Sequence, residues 1–378
     1  MKEALIVANL AGFASFLLSD IDILQDMGYR ITYASNTDTL PWEDTKAQLE
    51  KRDVRIVPVD FDSKNPLSKQ NFKAYGQLKK IIKETKFDII HCHTPIAGLL
   101  TRMVANPLRK KGTAVLYTTH GFSFTTRSSW KTKLVYETIE KFGATMSDAI
   151  ITINQEDFAA AKKMGSKKVY YIHGVGVDID KYANATVDRQ EYRKKLGVEN
   201  DEIMVLSVGE LSDRKNHQVI IDALSKIESD KKYVYVICGN GINGGTGKML
   251  QEKAEKLGVR LLLLGFRDDI PEIIKCSDVG AIPSVREGLG LAGIQSLAAG
   301  VPLVGTDVQG IRDYIVPDET GYLCNADDAE AFAMAMEKLA ALSDEEKQNW
   351  RKRCVAQAKA FDMDVSAQER FHIYTQFN

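Results

Sequence analysis

The sequence predicts an α/β protein built from two Rossmann-like, doubly wound domains that face each other across a cleft. Three observations support this prediction. Short apolar segments alternate with Lys- and Glu-bearing helical segments, a pattern typical of parallel sheets. The alternation starts a second time after a polar segment at residues 178–200. The length of 378 residues also exceeds what a single hydrophobic core usually serves.

The first domain is predicted over residues 1–178. It opens with an apolar strand at 4–8, whose exit turn contains Gly12. A helix is expected over 13–27, where apolar residues have helical spacing and Gly28 ends the pattern. The further strands expected from apolar runs are 31–34, 55–59, 88–91, 114–118, 149–153 and 170–177. A helix over 75–85 is typical of the segments between them.

The second domain is predicted over residues 179–361. Its expected strands are 203–208, 233–237, 260–264, 279–282 and 303–305. Its expected helices are 218–227, 249–257, 271–276 and 292–299. In such sheets, ligands bind at the carboxyl ends of the strands, and the polar motifs described below all follow predicted strands. They are therefore expected to belong to one active site.

Composition limits the class of protein. Residues 1–178 contain 25 Lys and Arg against 19 Asp and Glu, although the whole chain has a net charge of −1. A basic half suggests an anionic partner. The five widely spaced cysteines are typical of reduced thiols, so a cytoplasmic protein is expected. Asn9 and Gly12 interrupt the first apolar run, which favours a strand over a signal peptide, and no run has transmembrane length.

The most informative stretch is residues 281–310. An apolar strand is followed by a loop, by Gly288-Leu289-Gly290-Leu291 and by a helix of small residues. This geometry directs backbone N–H groups and a helix N-terminus toward an anion. Glu287 lies at the turn and Gln295 on the helix, so their side chains are expected to contact other parts of the same ligand.

This stretch resembles the signature of the retaining glycosyltransferases of family 4, in which two Glu are separated by seven residues. The segments 120–122, 209–215 and 265–268 also resemble the family in order and spacing, and the resemblance covers nearly the whole chain. It implies the GT-B fold, with the C-terminal helix, 362–378, packing back on the first domain. It also implies transfer of a sugar from a nucleotide, with UDP as the expected carrier, with retention and without a metal, a cofactor or a nucleic-acid partner.

The resemblance implies roles for individual residues. Glu287 would hydrogen-bond the donor sugar, and His120 would contact that sugar near the reacting carbon. Lys215 would neutralise the diphosphate leaving group, whose phosphates would also approach the main chain. The main-chain positions implied for the phosphates are Gly12, Gly209, Gly288, Leu289, Gly290 and Leu291. Phe266 and Arg267 occupy the place where the family holds uracil, mostly through the main chain.

Two positions depart from the family. Gln295 replaces a Glu that grips the ribose, and neutral hydrogen bonds are about half as strong as charge-assisted ones. Glu210 occupies the position of an Arg, for which Arg214 is the candidate substitute. An ordinary helix Gln and a surface Arg are the alternative interpretations of Gln295 and Arg214.

Two further motifs have spacings that occur in metal sites and in dinucleotide sites. His91-Cys92-His93 has a spacing that can bind a metal, but no third ligand cluster accompanies it, and we expect a cleft wall. The glycine-rich segment 239–247 superficially resembles a dinucleotide fingerprint. It lacks the acidic residue at the required distance, so a loop at the edge of the nucleotide site is favoured.

The first domain also contains a basic, aromatic stretch. Its members are Arg127, Trp130, Lys131, Lys133, Tyr136 and Lys141. Basic residues near a surface contribute about 1 kcal/mol each toward anionic lipid, so peripheral attachment to the inner face of a membrane is a hypothesis. The sequence resembles bacterial enzymes of capsule, exopolysaccharide or lipid-linked glycan synthesis, which implies a sugar on a polyprenyl diphosphate as acceptor. The alternatives are a UDP-sugar 2-epimerase of the same fold and a non-catalytic binding subunit.

Overall fold

The computed structural model describes residues 1–38, 42–242 and 244–378, and it divides the chain into two compact units. The first unit comprises Met1–Gly176 and Asp364–Asn378, and the second comprises Val177–Met363. The first unit thus ends at Gly176, where the sequence predicts 178, and it includes the C-terminal segment. Asn243 of the glycine-rich segment lies outside the described residues.

The first unit is built on a parallel sheet. The strands are β1 (Lys2–Leu10), β2 (Tyr29–Asn36), β3 (Arg55–Pro58), β4 (Ile89–His93), β5 (Ala114–Thr119), β6 (Ala149–Thr152) and β7 (Lys168–Tyr171). The helices between them are α1 (Leu18–Asp26), α2 (Glu43–Lys51), α3 (Lys69–Glu84), α4 (Pro95–Arg109), α5 (Trp130–Ala144) and α6 (Gln155–Ala161). The strand order is β3-β2-β1-β4-β5-β6-β7.

Strand β1 shows why an apolar run forms the centre of this sheet. Leu5 and Val7 pack into the core on one face, and Ala4 and Ile6 pack into the core on the other. Side chains alternate between faces along a strand, and a parallel sheet is covered on both faces. An uninterrupted apolar segment therefore contributes side chains to the cores on both faces of the sheet.

The predicted continuous helix over 13–27 is wrong in its first part. Residues Ala11–Phe16 form a 3-10 helix, and α1 begins only at Leu18. The N–H of Leu17 bonds to the carbonyl of Ala14 at 2.8 Å, one residue short of the α-helical spacing. Ala11 and Ala14 are buried at the end of β1, and this packing stabilises the tighter turn.

The second unit repeats the architecture. Its strands are β8 (Glu202–Val208), β9 (Lys232–Cys238), β10 (Arg260–Gly265), β11 (Val279–Ile282), β12 (Leu303–Thr306) and β13 (Gly321–Cys324). Its helices are α7 (Ile179–Ala183), α8 (Arg189–Leu196), α9 (His217–Leu224), α10 (Gly245–Leu257), α11 (Ile270–Cys276), α12 (Leu291–Ala298), α13 (Ile311–Tyr314), α14 (Ala329–Ala340) and α15 (Asp344–Ala358). The strands are parallel, in the order β10-β9-β8-β11-β12-β13. The two α/β units confirm the predicted fold class.

The last helix, α16 (Met363–Thr375), packs on the first unit. Tyr374 is buried there, and its hydroxyl donates to Asp20 of α1 at 2.7 Å. Among the described residues, no helix combines the length and the hydropathy that crossing a bilayer demands.

The strand orders locate the candidate sites. In each sheet the order reverses beside the first strand, between β1 and β4 and between β8 and β11. Connections leave such a switch point toward opposite sides, and a crevice opens between them at the carboxyl ends of the strands. The loops that follow β8 and β11 therefore form the expected site of the second unit.

Candidate active site

The loops after β8 and β11 are joined into one structure by hydrogen bonds. The N–H of Val285 donates to the carbonyl of Arg214 at 2.9 Å. The side chain of Asn216 donates to the carbonyls of Pro283 at 3.2 Å and Ala326 at 2.7 Å. Asn216 has a φ of 53°, a left-handed conformation that Asn tolerates better than most residues. These bonds fix the two loops relative to each other.

His217, at the start of α9, anchors the beginning of the β8 loop. Its Nε2–H donates to the carbonyl of Glu210 at 3.1 Å, and its Nδ1 lies 2.9 Å from the hydroxyl of Tyr235. Burial lowers the pKa of His217 to about 4, so the ring is neutral at pH 7. A neutral ring with one bonded N–H holds the loop without adding charge.

Two cations converge on the Glu287 carboxylate. Lys215 Nζ donates to Glu287 Oε2 at 2.8 Å, and Arg214 Nη1 donates to the same oxygen at 3.0 Å. The Lys215 and Glu287 side chains are largely buried, with exposed fractions of 16% and 14%. The structure thus brings together three of the residues predicted from the sequence, and it places the Arg214 guanidinium beside Lys215.

Glu210 holds Arg214 from the other side. Arg214 Nη2 donates to Glu210 Oε1 at 3.0 Å. Burial opposes ionisation of Glu210, but hydrogen bonds from Arg214 and Ser212 outweigh burial and lower its pKa. Burial likewise opposes the charge of Arg214, yet Glu287 and Glu210 raise its pKa. Both side chains are therefore charged, and Glu210 orients the guanidinium.

The β11 loop forms a cradle of main-chain donors, residues 289–292, at the start of α12. The N–H groups of Leu289, Gly290, Leu291 and Ala292 have no hydrogen-bond acceptor within the described part of the chain. The first turn of α12 has neither a side-chain cap nor an acidic residue. Such a helix start attracts anions.

The conformation of the cradle requires glycine. Gly290 has a φ of +80°, and a Cβ there would lie 2.9 Å from Glu287 Cγ. Behind the cradle, a Cβ on Gly310 would lie 2.3 Å from the carbonyl oxygen of Gly288. The hydroxyl of Tyr314 donates to the carbonyl of Gly290 at 3.3 Å. Gly310 and Tyr314 support the cradle from the rear, and the sequence pattern did not identify them.

Gln295 lies one helical turn after Leu291. Both residues are half-buried, whereas residues 293, 294 and 296–299 are buried. The side-chain amide of Gln295 forms no hydrogen bond to any described residue. It therefore lies on the same accessible side of α12 as the first residue of that helix.

Gly209 allows the β8 loop to pass close to its neighbours. A Cβ on Gly209 would lie 3.0 Å from Lys215 Cε. A Cβ on Gly239, at the end of β9, would lie 1.7 Å from the carbonyl oxygen of Gly209. Gly209 thus leaves room for the Lys215 side chain, and Gly239 lets the β8 loop pass close to the end of β9.

Phe266 and Arg267 lie farther along the edge of the sheet. They follow the edge strand β10, which β9 separates from β8. Phe266 is 71% exposed. Arg267 Nε donates to Asp269 Oδ1 at 2.8 Å, and this bond lowers the pKa of Asp269 to about 2. The guanidinium is thus paired within its own turn, and Phe266 is accessible.

In the first unit, Gly12 and His120 lie at the carboxyl edge of the sheet. Gly12 belongs to the 3-10 helix after β1, and His120 follows β5. The ring of Phe13 packs edge-on against the His120 ring, with 4.8 Å between centroids. Burial lowers the pKa of His120 to about 4, so its ring is neutral at pH 7.

His91 and His93 lie on β4, the strand next to β5, and both are buried. Their ring centroids are 4.1 Å apart, as expected for alternate residues of one strand. His93 Nδ1 lies 3.1 Å from His120 Nε2. Among the described residues, no group of three His, Cys, Asp or Glu side chains has the arrangement of a metal site.

Two family profiles match the chain. The profile described as Glycosyltransferase Family 4 matches residues 21–181, and that described as Glycosyl transferases group 1 matches residues 188–360. Each covers most of one structural unit.

Curated relatives match over most of their length. The putative glycosyltransferase EpsD of Bacillus subtilis (strain 168) is 35% identical over 334 residues, 86% of this chain and 84% of that protein. The UDP-Gal:alpha-D-GlcNAc-diphosphoundecaprenol alpha-1,3-galactosyltransferase of Escherichia coli is 31% identical over 277 residues, 71% of this chain and 70% of that protein.

Solved structures share the fold. Anabaena Alr3699/HepE in complex with UDP-glucose has a TM-score of 0.79 and 20% identity, covering 100% of both chains. Sucrose-phosphate synthase from Thermosynechococcus elongatus has a TM-score of 0.78 and 18% identity, covering 100% of this chain and 99% of that one. The fold is therefore GT-B.

Proposed function

The chain belongs to the family 4 glycosyltransferases, and we propose that it transfers a hexosyl or N-acetylhexosaminyl group from a UDP-sugar, with retention of configuration. The proposed acceptor is a sugar on a polyprenyl diphosphate, used in bacterial surface polysaccharide or glycan synthesis. The name of the Escherichia coli relative supports both parts, because it contains a UDP-sugar donor and a diphosphoundecaprenol-linked sugar. The Anabaena neighbour, which was solved with UDP-glucose, supports the donor.

The observation that carries the proposal is the convergence of Lys215 and Arg214 beside the cradle. The diphosphate would accept hydrogen bonds from the N–H groups of residues 289–292 and from Lys215 Nζ. Negative charge grows on the leaving diphosphate in the transition state, so fixed donors and cations at that point lower the barrier. Two cations beside a helix N-terminus would supply this stabilisation from the protein alone, without a metal.

Glu287 would change partners when the donor binds. Its carboxylate now accepts from Lys215 and Arg214 through a single oxygen. A diphosphate carries more negative charge than a carboxylate and would compete for both cations. The released carboxylate would then accept hydrogen bonds from hydroxyls of the donor sugar. In this way Glu287 would keep the cations in place before the donor arrives.

The remaining contacts would select and orient the donor. Gln295 would bond the ribose, since its amide is accessible on the cradle side of α12. Phe266 and the main chain of Arg267 would hold the uracil, and Gly12 and Gly209 would approach the phosphates. His120 would offer its neutral ring to the sugar. Catalysis would rest on holding the reacting atoms in position.

Helix α5 supports attachment to a membrane that carries the lipid-linked acceptor. It exposes Trp130 and Tyr136, which belong to the basic, aromatic stretch predicted from the sequence. It also exposes four large apolar side chains that the sequence pattern did not single out, namely Leu134, Val135, Ile139 and Phe142. Arg127, Lys131, Lys133 and Lys141 accompany them on or beside the helix. An exposed apolar stripe with basic neighbours is typical of helices that lie in the interface of anionic bilayers.

The experiment that tests the proposal offers the protein a panel of UDP-sugars with a polyprenyl diphosphate-linked sugar as acceptor. Product lipid should gain one sugar with the anomeric configuration of the donor, and UDP should appear in equal amount. EDTA should leave the rate unchanged. An epimerised nucleotide sugar would instead indicate the 2-epimerase, and binding without turnover would indicate a binding subunit.

A further inference from the structure

A buried polar network links the C-terminal helix to the histidines of the first unit. The hydroxyl of Tyr374 donates to Asp20 Oδ1 at 2.7 Å, because a carboxylate can only accept. The Tyr374 oxygen also lies 2.8 Å from His91 Nδ1, and it must accept there. His91 therefore carries its proton on Nδ1, and its bare Nε2 accepts from the hydroxyl of Thr118 at 2.7 Å.

Around His93 and Arg370, the same region contains buried nitrogen atoms that lack a hydrogen-bond partner among the described residues. His93 Nε2 is buried and forms no hydrogen bond among the described residues, and the same holds for Arg370 Nε and Nη1. The Arg370 guanidinium donates through Nη2 to Ser19 Oγ at 2.9 Å, and its Nε lies 3.7 Å from Asp20 Oδ1. Buried N–H groups without partners cost about 1–3 kcal/mol each, so these nitrogens favour a bound polar partner.

The residues that carry these atoms border one small cavity. His93, Arg370, Asp20 and Thr118 all line it, and its volume is about 10 Å³. That volume corresponds to roughly one water molecule, and a buried water typically makes about three hydrogen bonds. Its lining residues carry two unpartnered N–H nitrogens on Arg370, an unpartnered imidazole nitrogen on His93 and the carboxylate of Asp20.

We propose that this cavity binds one water molecule, which accepts from Arg370 and donates to His93 Nε2, and that this water sets the tautomers of His93 and His120. The proposed water accepts from both Arg370 Nε–H and Arg370 Nη1–H, which uses its two acceptor positions, so it can only donate toward the histidine. His93 Nε2 is then bare, and the ring proton lies on Nδ1. That proton is donated to His120 Nε2 at 3.1 Å.

The consequence reaches His120, whose contact with the donor sugar belongs to the proposed function. His120 accepts at Nε2, so a neutral His120 carries its proton on Nδ1. His120 Nδ1 has no hydrogen-bond partner among the described residues. The ring therefore presents an N–H donor, which suits an oxygen atom of a sugar. Arg370 and His93 are positioning residues in this scheme, and the role of His120 toward the sugar rests on the proposed function.

We call this chain of hydrogen bonds, from Arg370 through the water and His93 to His120, the relay. It requires that the histidine rings are neutral. The charged and titratable groups that face His93 are His91, His120, Arg370 and Asp20. Burial lowers the pKa of His93 well below its ordinary value, and the neighbouring His91, His120 and Arg370 add to that effect. The relay should therefore persist from neutral pH down to about pH 5, above the pKa of about 4 of His91 and His120.

The test reads the tautomers by NMR in the full chain labelled with ¹⁵N-histidine, without substrate. Nitrogen chemical shifts distinguish protonated from bare ring nitrogens. His93 and His120 should each show a protonated Nδ1 and a bare Nε2 between pH 7 and pH 5. A protonated Nε2 on either ring would overturn the proposal.

A variant tests the part played by Arg370. Arg370→Met keeps an apolar stem but removes the donors, and His93 should then lose its single tautomer and show a mixture. Arg30→Met, a matched change at an exposed arginine of the same unit, should leave the spectrum unchanged. A single Nδ1–H tautomer retained in Arg370→Met would refute the link. If that variant does not fold, Arg370→Lys should restore folding and retain the Nδ1–H form, whereas a protonated His93 Nε2 in it would count against the relay.

Crystals of the full chain identify the occupant. One water peak within hydrogen-bond distance of Arg370 and His93 would support the proposal. An anomalous bromide signal there in crystals grown from bromide would show an anion site instead and would overturn it. These readouts need no turnover, so correct tautomers with no sugar transfer would refute the proposed function and leave the relay intact.

Discussion

Replacing Lys215 by Met should weaken UDP binding while leaving uridine binding unchanged. The substitution removes the ammonium group and keeps most of the aliphatic part of the side chain, which lies next to Gly209. A hydrogen bond between charged groups contributes about 1.5–3 kcal/mol. Lys215 already pairs with Glu287 at 2.8 Å in the free protein, so binding UDP exchanges one charged partner for another. The loss should therefore lie near the lower limit, about 1.5–2 kcal/mol, or roughly 10- to 30-fold in Kd.

Isothermal titration calorimetry with UDP and with uridine measures this difference. Lys226→Met is the matched control, because Lys226 pairs with Glu330 at the exposed surface of the same unit. Its UDP affinity should equal that of the unchanged protein. Equal losses for UDP and uridine would show that Lys215 shapes the pocket and does not bind phosphate. An unchanged UDP affinity would refute the cationic role altogether.

The other predictions concern the carboxylate, the ribose contact, acid stability and the membrane. Glu287→Gln should lower kcat at least 10-fold, since charge-assisted bonds to the sugar are lost. Its thermal midpoint should stay within a few degrees of that of the unchanged protein. An unchanged kcat in a transfer assay would contradict the role of Glu287. Gln295→Glu should tighten UDP binding by about 3- to 10-fold in calorimetry, because a carboxylate accepts ribose hydroxyls more strongly, and weaker binding would count against the contact. Stability should fall between pH 6.5 and pH 4, because the unfolded chain then protonates histidines that stay neutral when folded, and His217, with a pKa of about 4, contributes up to about 3 kcal/mol. In urea titrations His217→Gln should lose less stability between pH 6.5 and pH 4 than the unchanged protein. An equal loss would refute the contribution of His217 to acid sensitivity. Leu134→Glu, at a side chain 60% exposed on α5, should reduce sedimentation with anionic vesicles several-fold, whereas Met334→Glu, 58% exposed on the second unit, should not; equal sedimentation of both would exclude α5 as the contact.

The sequence predicted the elements whose signal is local. Strand β1 is an apolar run covered on both faces, and its pattern is visible in five consecutive residues. The cradle was predicted for the same reason, because a strand, a glycine pair and a small-residue helix follow one another without a break. Strand β13 was missed, since Gly321–Cys324 is short and its burial depends on pairing with β12.

The contacts of the site were harder to predict because they join distant parts of the chain. Arg214 lies 73 residues before Glu287, and only the bond between the β8 and β11 loops brings their side chains together. Gly310 and Tyr314 support the cradle from a later turn, with no motif that connects them to it. The break before α1 arises from packing of Ala11 and Ala14, which helical spacing alone cannot show.

The exposed face of α5 shows a different limit of prediction from the sequence. Its basic and aromatic residues suggested a membrane surface, but apolar residues at helical spacing usually indicate a buried face. Leu134 and Phe142 are exposed instead, and only the packing of the first unit reveals this. The family resemblance added the residue roles, which neither periodicity nor spacing supplies.

A crystal structure of the full chain with an intact UDP-sugar is the most direct test of the central claim. The account predicts that the phosphate oxygens lie about 3 Å from backbone nitrogens of the cradle, residues 289–292, and from Lys215 Nζ, the distance of a charge-assisted hydrogen bond. It also predicts that the Glu287 carboxylate has turned from the cations to the sugar hydroxyls. A diphosphate bound elsewhere, with Glu287 still paired to Lys215 and Arg214, would contradict it.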